Sequence, residues 1–115
     1  MTIIKNNREL TPEEDFLITL DDGAKGIAEA PESITPTVMC LCESINAMGE
    51  PSTVLRVLDT NGNIYATSGV AVIRKANDVL DWMGRNPGHE VKALSFVKAK
   101  SRNGRDYYKL DAKLV

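Results

Sequence analysis

An Asn-Gly pair, Asn61-Gly62, is the feature that most constrains how this chain can fold. It closes a turn at residues 59–62 that lies between two β-rich runs, residues 53–58 and residues 63–68. Asn and Gly tolerate the positive φ angles of a tight turn, and such a turn makes the flanking strands pair antiparallel. The sequence therefore predicts an antiparallel hairpin at this point, and with it a mainly β fold.

The rest of the chain from Thr37 adds one helix and three strands. Residues 38–45 are apolar and β-branched, which favours a strand that is buried on much of both faces. Residues 70–83 change to helical spacing, with one apolar stripe and polar side chains on the other side. Residues 90–100 and 105–114 alternate as strands, and a second turn containing Asn-Gly joins them.

This order of three strands, a helix and two strands is typical of the five-stranded OB-fold barrel, in which the helix between strands three and four covers one end. Residues 35–115 are therefore predicted to form an OB-like domain. The loops that flank the binding face of an OB-fold would be residues 46–52 and 101–104. An α+β sandwich with a single helix would give a similar pattern and remains an alternative.

Residues 1–34 are predicted to form an acidic N-terminal extension that packs on the barrel. The sequence Thr-Pro-Glu-Glu at residues 11–14 is typical of a helix or turn start. The apolar run at residues 16–20 is interpreted as a short strand docked on the core, and residues 1–8 as a frayed end.

The composition excludes several classes of protein. At 115 residues and 43% hydrophobic content, the chain is long enough for one domain with its own core. It lacks a run of roughly eighteen apolar residues and a secretory signal pattern, so we expect a soluble intracellular protein. Cys40 and Cys42 are interpreted as buried thiols, and with His89 as the only histidine the ligands for a zinc site fall short. No phosphate loop or nucleophile elbow is present, which predicts a non-enzyme without a cofactor.

Positive charge is concentrated near the end of the chain. The net charge is −2, but residues 1–50 carry 3 basic and 10 acidic side chains, whereas residues 51–115 carry 11 basic and 6 acidic ones. The net charges of the two parts are therefore −7 and +5. Because the field at a site depends on the local cluster, a mildly acidic chain can still bind an anionic partner. Seven of the fourteen Lys and Arg residues lie close together: Lys92, Lys98, Lys100, Arg102, Arg105, Lys109 and Lys113.

Two adjacent tyrosines, Tyr107 and Tyr108, lie within this basic segment. Cationic side chains interleaved with aromatic rings on a sheet can hold the backbone of single-stranded nucleic acid and stack its bases. Alternation in the last strand places Tyr108 with the core and Tyr107 with Lys109 on the exposed face, so Tyr107 is the predicted stacking residue. The alternative is that the hairpin is only a solvated sheet edge, on which Tyr107 packs against a neighbouring strand.

Further candidate contacts lie in the preceding strand and in the turn. Phe96, Lys98 and Lys100 share one face of their strand, although Phe96 favours the core and the lysines favour water. A β-bulge between Phe96 and Lys98 would resolve that conflict. Arg102 and Arg105 lie in or next to the turn.

Arg56 and Tyr65 are candidates in the central hairpin. Arg56 interrupts an apolar strand and is expected to face water, as is Tyr65 if its two neighbours point inward. The two side chains would then share a surface with Tyr107 and Lys109.

Two segments resemble small bacteriophage single-stranded DNA-binding proteins of the OB-fold type. They are DTNGNIYATS at residues 59–68 and VKAKSRNGRDYY at residues 97–108. The second contains a basic hairpin of the form K-x-K-S-x-x-G-R-x-Y-Y, and the similarity covers about residues 53–115. The resemblance implies sequence-tolerant coating of exposed DNA during replication or recombination. It places Tyr107 on a base and the following residues on phosphates: Lys98, Lys100, Arg102 and Arg105.

The chain departs from the better-known bacterial relatives, which end in a flexible acidic tail that recruits partners. Here the final residues are predicted to be strand. The acidic N-terminal extension could recruit partners instead, or could fold over the basic groove and compete with DNA.

We therefore expect a single-stranded DNA-binding protein that needs no cofactor, works in the host cytoplasm if it is phage-encoded, and partners replication or recombination proteins. It could form homo-oligomers and is not expected to bind membranes. Two alternatives remain open. The same barrel could be a protein-interaction or assembly module that offers an edge strand to another chain, or an RNA-binding barrel. Neither alternative predicts affinity for single-stranded DNA.

Overall fold

The computed structural model describes residues 1–20 and 22–115, which contain more strand than helix. The strands form a five-stranded sheet and a separate two-stranded hairpin. In chain order the elements are β1 (Thr2–Asn6), α1 (Pro12–Leu20), β2 (Lys25–Gly26), a 3-10 turn (Ile27–Glu29), β3 (Pro36–Ile45), β4 (Pro51–Asp59), β5 (Ile64–Thr67), α2 (Val70–Arg85), β6 (Val91–Lys100) and β7 (Asp106–Leu114). The predicted order from Thr37, with one helix between the third and fourth strands of that region, is confirmed.

The Asn-Gly turn joins β4 and β5 as the sequence predicts. Gly62 has a φ of 84°, a conformation that residues with a Cβ atom rarely adopt. The Asp59 side chain stabilises the turn, because its Oδ1 accepts hydrogen bonds from the backbone N–H groups of Asn61 at 2.9 Å and Asn63 at 2.8 Å. β3, β4 and β5 therefore form an antiparallel meander with a well-defined register.

Strands from the N-terminal part of the chain occupy both edges of this meander. The order of the sheet is β1-β3-β4-β5-β2, with β1 antiparallel to β3 and β2 parallel to β5. β6 and β7 pair with each other, and one antiparallel bridge between Ile34 and Leu94 joins them to the residues before β3. Within the described residues the hydrogen-bonded strands do not close into a barrel. The mainly β prediction is confirmed, and the barrel stays a prediction.

Both faces of the five-stranded sheet are covered by other parts of the chain. Side chains alternate along β3, so successive residues point into two different clusters. Met39 and Leu41 point into the main core, which includes the apolar stripe of α2 together with Leu94 and Leu110 from the hairpin. On the other face lies a smaller outer cluster, composed of Ile18, Val38, Cys40, Cys42, Leu58 and Ile64. The prediction that β3 is buried on both faces is therefore confirmed.

α2 carries the apolar stripe that the sequence predicts. Its buried side chains are Val72, Ala76, Val79, Leu80 and Met83, while Ile73 and Trp82 are half-buried against the same core. The helix begins after Gly69 and ends at Arg85, two residues beyond the predicted end at residue 83. Neither helix in the described part of the chain combines the length and the apolar character that crossing a membrane would require.

The N-terminal segment differs from its prediction in two ways. Residues 16–20 belong to α1 and not to a strand, because Thr11 and Glu14 form a reciprocal cap at its start, with backbone to side-chain distances of 2.9 and 3.2 Å. Ile18 is fully buried against the sheet, whereas Phe16 and Leu20 are exposed. The frayed end predicted for residues 1–8 is also wrong, since β1 pairs with β3 from Thr2 to Asn6.

Candidate nucleic-acid interface

The turn between β6 and β7 has a defined conformation. The backbone N–H of Ser101 donates to the carbonyl of Arg105 at 2.9 Å, and the N–H of Gly104 donates to the carbonyl of Ser101 at 3.0 Å. Gly104 has a φ of 76°, which favours glycine at that position. The Ser101 hydroxyl accepts a further hydrogen bond from the N–H of Arg105 at 3.2 Å. This turn presents the side chains of Arg102 and Arg105 to solvent.

The register of the hairpin assigns its side chains to two faces. Residues that pair directly in an antiparallel ladder point the same way. We call one side the Tyr108 face, formed by the pairs Phe96↔Leu110, Lys98↔Tyr108 and Lys100↔Asp106. The other is the Tyr107 face, formed by the pairs Val97↔Lys109 and Ala99↔Tyr107.

The predicted bulge between Phe96 and Lys98 is wrong. The ladder is regular there, and its irregularity lies between Val91 and Ala93. Phe96 is half-buried against the main core, whereas Lys98 and Lys100 follow it on the same face and are exposed. The hairpin therefore extends beyond the core. Phe96 lies where this face still packs on the core, and the two lysines lie farther along the strand, where the same face meets water.

The two tyrosines lie as the alternation predicts. Tyr108 is half-buried and packs against the main core, while Tyr107 is 39% exposed. On the Tyr107 face the neighbours from β6 are the short side chains of Val97 and Ala99. They leave the ring of Tyr107 and the exposed Lys109 as the projecting groups of a shallow surface. In proteins that bind single strands, an accessible ring stacks on a base and a nearby cation contacts a phosphate, and this surface has both groups.

The cations of the hairpin are largely unpaired. Within residues 1–20 and 22–115, Lys98 is the one member of the seven that forms an ion pair, with Asp106 at 3.7 Å. All seven are exposed. In contrast, Lys5 pairs with Asp81 at 2.6 Å, and Arg8 pairs with Glu14 through both of its terminal nitrogens. Positive charge near the N-terminus is therefore neutralised internally, and positive charge in the hairpin remains available to an external anion.

Arg56 and Tyr65 do not face water, and this prediction is wrong. Arg56 is 7% exposed, and its guanidinium donates a hydrogen bond to the carbonyl of Ile18 at 2.5 Å. α1 covers this face of β4, which the sequence did not indicate. Tyr65 is 4% exposed in the main core, where burial raises the pKa of its hydroxyl.

The two residues also lie on opposite faces of the sheet. Arg56 pairs with Cys40, and Tyr65 lies in the row of Val57 and Met39. They therefore do not share a surface with Tyr107 and Lys109. The register places Tyr107 and Lys109 on one side of the hairpin and Lys98 and Lys100 on the other, while Arg102 and Arg105 are exposed in or next to the turn that joins the two strands.

Sequence reasoning missed two grooves beside the first turns of α2. The hairpin groove, about 420 Å³ in volume, lies between β5, α2 and β7 and is lined by Thr67, Val70, Arg74, Tyr107 and Tyr108 among others. The helix groove, about 540 Å³, lies between β1, β4 and α2 and is lined by Ile4, Lys5, Thr53, Val70 and Arg74 among others. One residue in the sequence could have indicated these grooves: Val70 is apolar but lies outside the stripe of α2. In the structure Val70 is 71% exposed.

The two cysteines are buried in the outer cluster on the same face of β3. Burial raises the pKa of the Cys40 thiol to about 12 and that of the Cys42 thiol to about 11. Both are therefore protonated near neutral pH, in which form a thiol is a poor nucleophile and metal ligand. In the described part of the chain, no three His, Cys, Asp or Glu side chains lie close enough to hold a metal ion.

No protein-family model, curated protein or solved structure matches this chain.

Proposed function

We propose that this protein binds single-stranded DNA through the end of the β6–β7 hairpin, without strong preference for sequence. The observation that carries the proposal is an exposed aromatic ring, Tyr107, among exposed cations that have no ion-pair partner within the described residues. Unpaired cations attract the phosphates of any nucleic acid. The accessible ring favours single strands, because only unpaired bases offer their faces for stacking.

In this proposal each side chain has one task. The Tyr107 ring stacks on a base, which contributes about 1–3 kcal/mol in proteins of this kind. Lys109 contacts a phosphate on the same side of the hairpin, and Arg102 and Arg105 contact phosphates at the turn. Lys98 and Lys100, on the Tyr108 face, contact phosphates where the strand passes around the end of the hairpin. Binding by these contacts needs no chemical step and no cofactor.

The proposed fold family is an OB-like barrel that the N-terminal segment has modified. Three features support it: the β3–β4–β5 meander, the position of α2, and the bridge between Ile34 and Leu94 that joins the meander to the hairpin. In an OB-fold the last two strands close the barrel against the edges of the meander. Here β1 and β2 take up those edges. Coating of exposed DNA in replication or recombination, in a phage or its host, is the role that such a protein would serve.

A fluorescence-anisotropy titration with labelled oligothymidine tests the proposal. We expect binding by the full chain, and a loss of about 1–3 kcal/mol for Tyr107→Ala. Tyr107→Phe keeps the ring and should keep most of the affinity. Arg102→Glu should weaken binding, whereas Lys75→Glu, which reverses an exposed charge on α2 that does not line the hairpin groove, should not. Absence of binding by the folded chain would refute the proposal.

One observation favours a second function, that of a protein-interaction module. The outer edge of β6 has a single partner among the described residues, the bridge from Ile34 to Leu94, so the edge beyond Ser95 is open to another strand. A chain that adds to this edge would use backbone hydrogen bonds. The same titration distinguishes the two functions, because an interaction module has no affinity for oligothymidine. A parallel titration with oligouridine shows whether RNA is preferred.

A further inference from the structure

The two grooves beside α2 share a wall. Val70 and Arg74 line both the hairpin groove and the helix groove, so the two grooves adjoin along the first turns of the helix, and we call the pair the channel. One end of the channel includes Tyr107 and Tyr108, and the other includes Ile4 from β1. The channel thus begins at the ring that the proposed function assigns to base stacking.

The walls of this channel suit a strand that has anionic phosphates and bases with apolar faces. Among residues 1–20 and 22–115, no carboxylate lines either groove, although 16 of the 115 residues of the chain are Asp or Glu. By contrast, Glu90 lines one other surface pocket and Asp106 lines another. The polar groups of the helix groove include the hydroxyls of Ser52, Thr53 and Ser68. Exposed apolar surface comes from Val70, at 71%, and Ile4, at 50%.

The cation of this channel that remains available is Arg74. It is exposed, and its side chain has no hydrogen-bond or ion-pair partner within residues 1–20 and 22–115. Lys5 also lines the helix groove, but its amine is held by Asn77 and by Asp81, each at 2.6 Å. Arg74 therefore lies at the junction of the two grooves as the group that can contact a phosphate.

We infer that single-stranded DNA leaves Tyr107 along this channel, with a phosphate on Arg74 and bases against Val70 and Ile4. The inference rests on the proposed function and extends it, because it assigns a second half to the binding site that lies on α2 and β1. A binding path of this kind makes affinity depend on oligonucleotide length: a short strand occupies the hairpin alone, and a longer strand also reaches Arg74.

The test compares oligothymidines of about 4 and about 16 nucleotides, the range of site sizes for single OB-folds. Arg74→Glu should lower affinity for the longer strand by roughly fivefold or more at 0.1 M salt, which corresponds to one phosphate contact on a single strand. Its affinity for the short strand should change little. Val70→Asp places a negative charge in both grooves at a helix start, where an acidic residue is tolerated, and should act in the same way.

Lys75→Glu is the matched control. Lys75 is the adjacent exposed cation on α2 and lines neither groove. Both substitutions introduce a negative charge one helical turn from Asp78, so any effect on helix stability is shared. Arg74→Gln removes the charge without reversing it and should give a smaller loss on the longer strand.

The outcomes separate the inference from the proposed function. If the longer strand binds no better than the short one, or if Arg74→Glu and Lys75→Glu behave alike on it, the channel is not part of the site, although the hairpin still binds DNA. If the unmodified chain binds neither strand, the proposed function and the inference both fail. A loss for Arg74→Glu confined to the longer strand supports the inference.

Discussion

The adjacent residues Tyr107 and Tyr108 show which side-chain positions a sequence can assign by itself. Their placement depends on alternation along one strand, a local property, and the structure confirms it. Arg56 shows the limit. Its burial depends on a contact with Ile18, 38 residues earlier in the chain, and no pattern around Arg56 indicates that contact. Burying a guanidinium requires hydrogen-bond partners in place, which only the folded chain supplies.

Substitution of Arg56 should therefore affect stability and leave DNA binding intact. Arg56→Met keeps a long side chain but removes the donor to the carbonyl of Ile18. A buried acceptor left without its donor costs about 1–3 kcal/mol, so we expect the free energy of unfolding in urea to fall by that amount. The anisotropy titration with the folded variant should be unchanged. A variant of unaltered stability with weakened DNA binding would mean that Arg56 acts at the surface.

At the scale of elements, α1 has a different role from the one its charge suggests. The sequence leaves open that the acidic extension folds over the basic groove. Instead, α1 packs on the face of the sheet opposite the main core and the hairpin, where Ile18 covers Cys40 and Cys42. Sequence reasoning found the start signal at Thr11 but interpreted the short apolar run after it as a strand. A run of five residues is too short for its period to separate a helix from a strand.

The cap of α1 predicts a dependence of stability on pH. The carboxylate of Glu14 accepts hydrogen bonds from the Arg8 guanidinium and from the N–H of Thr11, and these contacts lower its pKa from 4.5 to about 2. Because the pKa is lower in the folded chain, the stabilisation is complete above about 4.5 and is lost as the pH falls towards 2. Because the Arg8 side chain is 42% exposed and solvent screens the pair, we expect about 1 kcal/mol or less.

Urea unfolding of Glu14→Gln across this pH range measures the effect. The variant should be less stable than the unmodified chain at neutral pH, and the difference should shrink as the pH falls from about 4.5 to about 2. Glu13→Gln is the control, because the Glu13 side chain has no hydrogen-bond or ion-pair partner in the described part of the chain. A difference for Glu14→Gln that stays constant through this range would show that the carboxylate charge has no part in the cap.

For the whole molecule, the order of elements from Thr37 could be predicted, and the pairing of the sheet edges could not. Turns and periodicity are local, and they identify the meander, α2 and the hairpin. The edges of the meander are occupied by β1 and β2. These two strands are distant from the meander in sequence, and they are too short or too polar to predict. The channel along α2 was missed for the same reason, since its walls come from six separate parts of the chain.

The separation of charge across the molecule predicts how binding responds to salt. The chain has a net charge of −2, so attraction to DNA comes from the local cluster at the hairpin and not from the average. Most acidic side chains of residues 1–50 belong to the extension, and charges separated by more than about 10 Å are largely screened at 0.1 M salt. About 4–6 phosphate contacts would give a slope of roughly −3 to −4 in a plot of log K against log salt concentration.

Titrations of the longer oligothymidine between about 0.05 and 0.2 M salt measure this slope. Arg102→Gln should make it shallower by about 0.7, the value of one contact on a single strand, whereas Lys75→Gln should leave it unchanged. Tyr107→Ala should weaken binding at every salt concentration with the same slope, because stacking releases no counterions. A slope near zero would show that binding does not depend on the exposed cations. An equal change in slope for Arg102→Gln and Lys75→Gln would show that the hairpin has no special part in it.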